Sequence, residues 1–401
     1  MLTIEKNKSL KLLTTFKIGG LARFYAEIAD TNDLPEALDF AEKEHLPALI
    51  LGGGSNMLVS DRGFPGLVLH IANRGIEVEE QDDDVLLRIA SGEVWDDVVG
   101  FAVERGLWGI ENLSRIPGQA GAVAVQNVGA YGREIKDVLS SVDVFDRRPR
   151  ANDSRSIQSD SIESPFFQTL TNSECKFQYR KSIFNTTEKE RYVICSTTLR
   201  LSKKPRRELS YPDVKKWFEA RHETEPEASL SEIRHAIRSI RDKKFPFPAE
   251  SVEGNAGSFF KNAVLTEQEY AETNKQIEHH APEFLERLHT IRARSTGNAG
   301  GGTANGAEIK IPTAFLLELC GFKGFRKGNV QLNPTQPVIV LNETGNATAK
   351  EVMELVQEVR AIVKEKTGVW LFTEPELIGF GESDLRKYGF LDLEIERYLS
   401  K

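Results

Sequence analysis

The spacing of apolar residues changes from strand to helix and back within the first sixty residues. ARFYAEI at 22–28 is rich in strand-forming residues, and apolar positions then recur at i, i+3, i+4 and i+7, the repeat of one helix face. These positions are Leu34, Ala37, Leu38 and Ala41. The next apolar run, PALILGGGSNMLV at 47–59, has the character of a strand broken by three glycines. The pattern predicts a β-α-β unit.

Residues 66 to 203 are richer in strands than in helices. Apolar and β-branched runs predict strands at 66–71, 85–91, 141–146 and 192–201. One helix face is formed by Trp95, Val98, Val99, Ala102 and Val103, and Gly106 is its expected stop. The polar, Ser/Pro-rich residues 147–165 predict a long exposed loop.

Helix-capping patterns are frequent from residue 206 onward. A Ser or Thr three residues before a Glu is the capping-box pattern, and it precedes three predicted helices. The pairs are Ser229 with Glu232, Thr266 with Glu269 and Thr348 with Glu351. Pro312 and Gly321 are placed to begin and end another helix. VIVLN at 338–342 predicts a strand, and the Gly/Asn-rich residues 295–307 predict a flexible loop.

Composition narrows the class of protein. A chain of 401 residues has room for two or three domains. The formal net charge of -8 argues against a general binder of nucleic acid or acidic membranes. No apolar run reaches the length of a membrane span, and the N-terminus lacks a signal-peptide pattern, so we expect a cytoplasmic protein. Three scattered cysteines predict reduced thiols, and no spacing of ligand residues predicts a metal site.

GGGSN at 52–56 follows an apolar strand directly. Consecutive glycines permit positive φ and leave backbone N–H groups uncovered, which suits a phosphate. The segment differs from the dinucleotide-binding fingerprint, because Met57 stands where the third glycine belongs. A tight turn without a ligand is therefore the alternative.

A second stretch of small residues, IPGQAGAVAVQNVGAYGREI, occupies positions 116–135. Such a surface allows a large flat ligand to lie against the backbone. Gln126 and Asn127 offer the donors and acceptors that a ring with carbonyl and imide edges needs. The alternative is a close-packed crossing of two backbone segments.

Three further stretches contain candidate reactive groups. Arg180 stands among apolar residues in FQYRKSIF, where its fork would suit a carboxylate or an enolate, or alternatively a structural ion pair. Glu374 and Glu376 in EPE follow an apolar run, either as surface charges or within a site. In GNAGSFFKN at 254–262, Ser258 is a lone hydroxyl between flexible backbone and two phenylalanines.

In combination these stretches resemble those of the UDP-N-acetylenolpyruvoylglucosamine reductases (UDP-N-acetylmuramate dehydrogenases), flavoenzymes of bacterial peptidoglycan precursor synthesis. The resemblance rests on TTFKIGG (14–20), LGGGSNML (51–58), ENLSRIPGQAG with VQNVGAYG (111–132), QYRKSIF (178–184), GNAGSFFKN (254–262) and VWLFTEPE (369–376). It implies an α+β fold with a two-part FAD-binding body of the vanillyl-alcohol-oxidase type and an α/β substrate-binding domain. The implied boundaries are 1–66 joined by 371–401, then 67–205, then 206–370.

The resemblance also implies site residues. The catalytic residues would be Arg180, Ser258 and Glu376. Noncovalent FAD would contact Gly52, Gly53, Gly54, Ser55, Asn56, Ile116, Pro117, Gly118, Gly121, Gln126, Asn127 and Gly129. Substrate would contact Tyr131, Tyr211, Lys244 and Asn262, and Tyr211 in LSYPDV marks the subtype with a tyrosine-bearing substrate loop.

The implied activity is reduction of the enolpyruvyl ether of UDP-N-acetylglucosamine by NADPH through FAD. Arg180 and Glu376 would hold the substrate carboxylate, and Ser258 would protonate the carbon that carries it. The alternatives are another flavin oxidoreductase on the same body, or a nucleotide-sugar-binding protein without flavin. We expect a monomer that needs no nucleic-acid or membrane partner.

Some positions depart from the family pattern. GAVAVQN at 121–127 stands where relatives often carry hydroxyl side chains. Ile378 stands two residues after Glu376, where some relatives carry an arginine, so anion binding there must differ. The segments at 147–165 and 268–307 look like insertions.

Overall fold

The computed structural model describes residues 2–147, 166–221, 227–244, 247, 251–297, 308–392 and 394–395. Its first unit contains β1 (Ile4–Ser9), β2 (Leu21–Ile28), α1 (Leu34–Lys43), β3 (Ala48–Leu51), β4 (Met57–Val59) and β5 (Phe64–Ile71). Four of these strands form a sheet in the order β1-β2-β5-β3, in which only the β1–β2 pair is antiparallel. Helix α1 turns Leu34, Ala37 and Ala41 inward, as its apolar spacing requires. The β-α-β prediction is confirmed.

The second unit is an antiparallel sheet. It contains β6 (Ile76–Gln81), β7 (Asp84–Ala90), α2 (Trp95–Glu104), α3 (Ala120–Val123), β8 (Gly129–Ala130), β9 (Arg133–Glu134), β10 (Leu139–Asp146), β11 (Phe167–Thr171) and β12 (Tyr192–Ser202). The strand order is β11-β10-β12-β7-β6. Trp95 on α2 is fully buried in this unit's core, and its indole N–H donates to the Leu113 carbonyl at 2.9 Å. The four strands predicted between 66 and 201 all form.

The remaining elements are mostly helical. They are α4 (Pro212–Glu219), α5 (Leu230–Asp242), β13 (Ala263–Leu265), α6 (Glu267–His280), α7 (Leu285–Gly297), β14 (Ile309–Ile311), α8 (Thr313–Leu319), β15 (Arg326–Lys327), β16 (Val330–Leu332), β17 (Val340–Asn342), α9 (Ala349–Thr367), β18 (Glu376–Ile378) and α10 (Glu382–Lys387). Helix α9 packs against α6 and α8 and forms the centre of a large core.

All three predicted capping boxes are present. Each hydroxyl accepts from the backbone N–H three residues later, and each Glu carboxylate accepts from the backbone N–H of its Ser or Thr partner. The predicted strand at 338–342 is shorter, because β17 begins at residue 340. Of the predicted loop at 295–307, residues 295–297 instead end α7. The rest of that loop, residues 298–307, lies outside the described residues. Of the predicted loop at 147–165, only residue 147 is described.

Three connections bring the units together around one point. Strand β18 pairs in parallel with β4 of the first unit. Helix α5 packs against α2, and the apolar side of α4 and α5 shares a cluster with Trp108 and Tyr131 of the second unit. The segment at 254–262 forms backbone hydrogen bonds with two later parts of the chain, Asn342 at the end of β17 and residues 372–374 beyond α9. Within the described part of the chain, no helix is long and apolar enough to cross a membrane.

Candidate active site

A cleft of about 560 Å³ lies where the three parts meet. Its volume is in the range of pockets that hold small molecules and cofactors. The predicted residues that line it are Gly52, Gly53, Gly54, Ser55, Asn56, Ile116, Pro117, Gly118, Gly121, Gln126, Gly129, Tyr131, Arg180, Tyr211, Lys244, Ser258 and Glu376. Positions far apart in the sequence therefore converge on one cleft.

The GGGSN loop and the 116–118 segment cross at close range. A Cβ added at Gly53 would lie 2.9 Å from the Gly118 Cα, which only a glycine avoids. The Asn56 side-chain amide donates to the Gln126 Oε1 at 3.1 Å and joins this loop to the second stretch of small residues. The crossing leaves backbone on the wall of the cleft, where a phosphate could accept N–H groups.

The small residues of 118–130 form the adjoining wall. A Cβ at Gly121 would lie 2.5 Å from the Ser91 Oγ, so this backbone packs directly against its neighbour. Among the described residues, the Gln119 Oε1 is buried at this wall without a hydrogen-bond partner. The close backbone crossing, which was the alternative for this stretch, is thus present, and the same stretch also lines the cleft. The unpaired Gln119 Oε1 is an acceptor that would suit the imide N–H of a flavin ring lying against this wall.

The motif TTFKIGG explains how Ser258 reaches this wall. The Thr15 N–H donates to the Gly54 carbonyl at 3.1 Å, and the Thr15 hydroxyl donates to the Asn255 carbonyl at 2.7 Å. The Asn255 N–H returns a bond to the Thr15 carbonyl at 3.1 Å. This segment therefore fastens the serine-bearing turn to the glycine loop.

The turn presents Ser258 to the cleft and buries its neighbours. Ser258 is exposed, whereas Phe259 and Phe260 are each 1% exposed, with their rings in edge contact at 5.5 Å. Gly257 has a φ of +71°, a conformation that favours glycine. The Phe259 N–H donates to the Val338 carbonyl at 2.7 Å. The two rings anchor the turn, so the hydroxyl is held at the surface of the cleft.

Arg180 lies across the cleft on a strained turn. Its φ is +55°, in the left-handed region that non-glycine residues rarely adopt. One guanidinium nitrogen, Nη2, donates to the Gly129 carbonyl at 2.9 Å, and Nε lies 3.7 Å from the Glu374 Oε1. The structural ion pair considered as an alternative is therefore present, and it holds the guanidinium at the cleft wall.

Glu376 enters the cleft from the first residue of β18. Its backbone N–H donates to the Asn56 carbonyl at 3.0 Å, which places it beside the glycine loop. Its Oε2 lies 4.0 Å from the Lys189 Nζ. Glu374, which the sequence left open between a surface charge and a site residue, also lines the cleft. Lys189 lines the cleft too and was not predicted as a site residue.

Two tyrosines and a lysine form the far end. The Tyr131 and Tyr211 rings meet edge to face, with centroids 5.2 Å apart. The Lys244 Nζ donates to the Asp213 Oδ2 at 2.8 Å and lies 5.7 Å from the Tyr131 centroid. Burial works to lower the pKa of Lys244, but the bond to Asp213 and the neighbouring tyrosines raise it above its ordinary value. This end therefore presents a cation with two aromatic faces, a suitable environment for a nucleotide diphosphate.

Two residues that shape this end were missed by sequence reasoning. Arg241 lines the cleft, and burial lowers its pKa from the ordinary value despite the opposing effect of Tyr131. Asn112 is fully buried, and its amide donates to the carbonyls of Tyr131 and Glu208, both at 2.8 Å. Arg241 belongs to a basic cluster before Pro246, with Arg238, Lys243 and Lys244, and that cluster was a signal for it. Asn112 stands in the ENLSRIPGQAG motif, but no feature of that motif marks it as a residue that shapes the cleft.

Three positions that the sequence singled out lie outside the lining of the cleft. Asn127 does not line the cleft, because its side chain bonds to Glu134, to the Gln178 carbonyl and to the Lys136 N–H. Asn262 also lies outside the lining and accepts from the Thr313 N–H at the start of α8, at 3.1 Å. Ile378 is 1% exposed in the core of the first unit and so makes no contact with the cleft. Among the described residues, no group of His, Cys, Asp or Glu could hold a metal.

Comparison with known proteins assigns the parts. The family model "FAD binding domain" matches residues 22–149, and the model "UDP-N-acetylenolpyruvoylglucosamine reductase, C-terminal domain" matches residues 248–378. The first match includes both glycine-rich walls of the cleft. Together with this match, the fold and the cleft define an FAD-dependent oxidoreductase.

Whole-chain relatives give the family. The chain is 36% identical to a UDP-N-acetylenolpyruvoylglucosamine reductase of Pseudomonas aeruginosa and 34% identical to one of Flavobacterium johnsoniae, in each case over 94% of this chain and 99% of the relative. The chain belongs to the UDP-N-acetylenolpyruvoylglucosamine reductase family. A solved reductase from Thermus caldophilus, 21% identical, shares the fold with a TM-score of 0.60 and covers 94% of this chain and all of its own.

Proposed function

We propose that this chain reduces the enolpyruvyl ether of UDP-N-acetylglucosamine to UDP-N-acetylmuramate in peptidoglycan precursor synthesis, with NADPH as reductant. The observation that carries the proposal is the convergence of Arg180, Ser258 and Glu376 on one cleft, between the flavin-binding walls and the tyrosine–lysine end. Family membership supports this function over the two alternatives, another flavin oxidoreductase on the same FAD-binding body and a nucleotide-sugar-binding protein without flavin.

FAD would be held by the loop at 52–56 and by the wall at 116–129. When bound there, FAD supplies the hydride that reduces the vinyl group. The narrow walls admit a flat ring, and the crossing of Gly53 and Gly118 leaves backbone N–H groups for the diphosphate.

The chain's own residues orient the substrate and move a proton. Arg180 and Glu376 hold the substrate carboxylate, Arg180 by charge and Glu376 through a shared proton. Negative charge develops on the carbon next to that carboxylate as the terminal vinyl carbon is reduced. Ser258 donates the proton that this carbon takes up. Tyr131, Tyr211 and Lys244 bind the nucleotide end, as the tyrosine-loop subtype requires.

The remaining assignments complete the proposal. We keep the division into 1–66 with 371–401, 67–205 and 206–370, but move its first boundary from residue 66 to residue 71, because β5 pairs with β2 and β3 of the first unit. The pairing of β18 with β4 supports the return of the C-terminus to the FAD-binding body. The contacts of α4 and α5 with the second unit bring the third part against the nucleotide end of the cleft. We also propose a cytoplasmic monomer.

Replacing Ser258 with alanine tests the proposal. Reduction of the flavin by NADPH needs no proton on carbon, so this first half of the reaction should proceed as in the wild type. Reoxidation by the enolpyruvyl nucleotide needs the proton and should slow by about 10² to 10⁴. Anaerobic stopped-flow absorbance of the flavin measures the two halves separately.

Ser231→Ala, at an exposed position on α5, is the matched control and should leave both halves unchanged. Equal slowing of both halves by Ser258→Ala would make Ser258 a support for the flavin. Failure of the wild-type protein to reoxidise with the nucleotide would reject the proposed substrate.

A further inference from the structure

Two ion pairs join two segments of the chain at the part of the cleft that contains Arg180 and Glu376. Arg180 and Lys189 belong to one segment, and Glu374 and Glu376 belong to another. The Arg180 Nε lies 3.7 Å from the Glu374 Oε1, and the Lys189 Nζ lies 4.0 Å from the Glu376 Oε2. The Lys189 side chain is only 15% exposed, so water screens this charge less than a surface charge.

With both carboxylates ionised, the charges of these four groups add to zero before a ligand enters, and the proton that Glu376 shares with the substrate carboxylate is taken up on binding. A substrate carboxylate brings one negative charge, and reduction of the vinyl group builds a second on the adjoining carbon. Arg180 already neutralises Glu374. Without a further cation near Glu376, the carboxylate would approach a site of net negative charge, which opposes its binding.

The backbone around Lys189 is held in place. The Lys189 N–H donates to the Thr186 carbonyl at 3.3 Å, and the Glu188 N–H donates to the Ile183 carbonyl at 2.9 Å. Arg191 binds both the Glu188 carboxylate, at 3.0 Å, and Asp146 of β10, at 2.7 Å. The turn is thus fixed to the second unit, and the lysine extends from it into the cleft.

Strand β18 supplies no cation of its own here. The position two residues after Glu376 is Ile378, which is buried in the core of the first unit. The cation that lies 4.0 Å from Glu376 is Lys189, which belongs to the segment on the opposite wall.

We propose that Lys189 is a second carboxylate-binding residue that acts together with Arg180 and selects nucleotides bearing a carboxylate. The inference rests on the proposed function. Its Nζ contacts the carboxylate next to Glu376 and stabilises the negative charge that develops during reduction.

Binding of two nucleotides to the oxidised holoenzyme tests this inference. UDP-N-acetylmuramate carries the carboxylate and UDP-N-acetylglucosamine lacks it, while the diphosphate is common to both. Lys189→Met should weaken binding of UDP-N-acetylmuramate by about 10- to 100-fold, the loss of one charged hydrogen bond, and should leave UDP-N-acetylglucosamine within about twofold. Lys189→Arg should retain most of the discrimination. Isothermal titration calorimetry measures both affinities.

Lys181→Met is the matched control, because Lys181 is exposed on the same segment and does not line the cleft. It should change neither affinity. Equal loss of both nucleotides by Lys189→Met, or no loss of either, would overturn the inference. Loss of FAD from both Lys189→Met and Lys189→Gln would place the lysine at the cofactor and would also overturn it. If the wild type binds neither nucleotide, the proposed function itself fails.

Discussion

At the scale of single residues, the cleft depends on a buried carboxylate that does not line it. Asp96 on α2 accepts from the Arg115 N–H at 2.6 Å and from the Arg234 guanidinium at 2.7 Å. Burial tends to raise the pKa of Asp96, but the bonds from Arg234 and Arg115 lower it below its ordinary value. Arg115 in turn binds Asp242 at the end of α5. One carboxylate thereby ties α2, α5 and the wall-forming loop together.

Asp96→Asn should lower the free energy of unfolding at pH 7 by about 3 kcal/mol, because it leaves Arg234 buried beside a neutral group. The lowered pKa of Asp96 sets the pH dependence. The wild-type advantage is complete above the ordinary aspartate pKa of about 3.9, and it shrinks as the pH falls through the lower folded-state pKa. Urea titrations between pH 7 and pH 3 measure it.

Asp97→Asn provides the comparison, because Asp97 is the next residue on the same helix and is exposed. Its effect should stay below about 1 kcal/mol at every pH. A difference between Asp96→Asn and wild type that grows on acidification would contradict the assignment.

At the scale of elements, α2 has one glycine within it and another just after its end, in opposite circumstances. Gly100 lies within the helix, and a Cβ there would meet the Arg234 guanidinium at 3.4 Å, an ordinary contact. Gly106 follows the helix with a φ of +71° and ends it in the left-handed conformation. The same substitution should therefore have opposite effects at the two positions.

Gly100→Ala should raise the free energy of unfolding by about 1 kcal/mol, through the higher helix propensity of alanine. Gly106→Ala should lower it by about 1 kcal/mol, because alanine is strained at positive φ. Chemical denaturation of both variants gives the pair of values. A loss of stability in Gly100→Ala would show that the Arg234 contact leaves no room for a methyl group.

At the scale of the whole molecule, the cleft is built from parts of the chain that lie far apart in the sequence. The loop at 52–56 belongs to the first unit and the wall at 116–129 to the second, while Ser258 and Glu376 come from later in the chain. A ligand that contacts all of these parts stabilises their arrangement as well as the local backbone. Removing FAD should thus loosen the molecule as a whole.

A covalent link to the flavin would need a His, Cys or Tyr side chain, and His70 and Tyr131 are the candidates nearest in sequence to the flavin-facing stretch. His70 binds the Tyr25 hydroxyl and does not line the cleft, and Tyr131 lies at the nucleotide end. We therefore expect acid precipitation to release FAD.

Restoring FAD to about 100 times its Kd should add about 2.7 kcal/mol to the free energy of unfolding. Thermal denaturation with and without FAD measures the shift. Gly53→Ala should abolish most of it, because the added Cβ would clash with Gly118. Flavin that stays with the precipitate would show a covalent link.

Much of this protein was predictable because some patterns depend only on local chain geometry. The capping boxes, the helix faces and the strands of the second unit follow from periodicity and side-chain reach over three or four residues. The glycines at 52–54 and the small residues of 116–130 also predicted that these segments allow a ligand or another backbone segment to approach closely. The resemblance then connected these stretches to FAD and to Arg180, Ser258 and Glu376.

The tertiary structure alone decided which polar side chains face the cleft. Asn127 and Asn262 have the donors and acceptors of binding residues, yet neighbours distant in the sequence take up their hydrogen bonds. Lys189 and Arg241 look like surface charges in the sequence, yet a turn of the second unit and helix α5 direct them into the cleft. A side chain's partners are set by which segments the fold brings within about 3 Å, and local sequence carries no record of that distance.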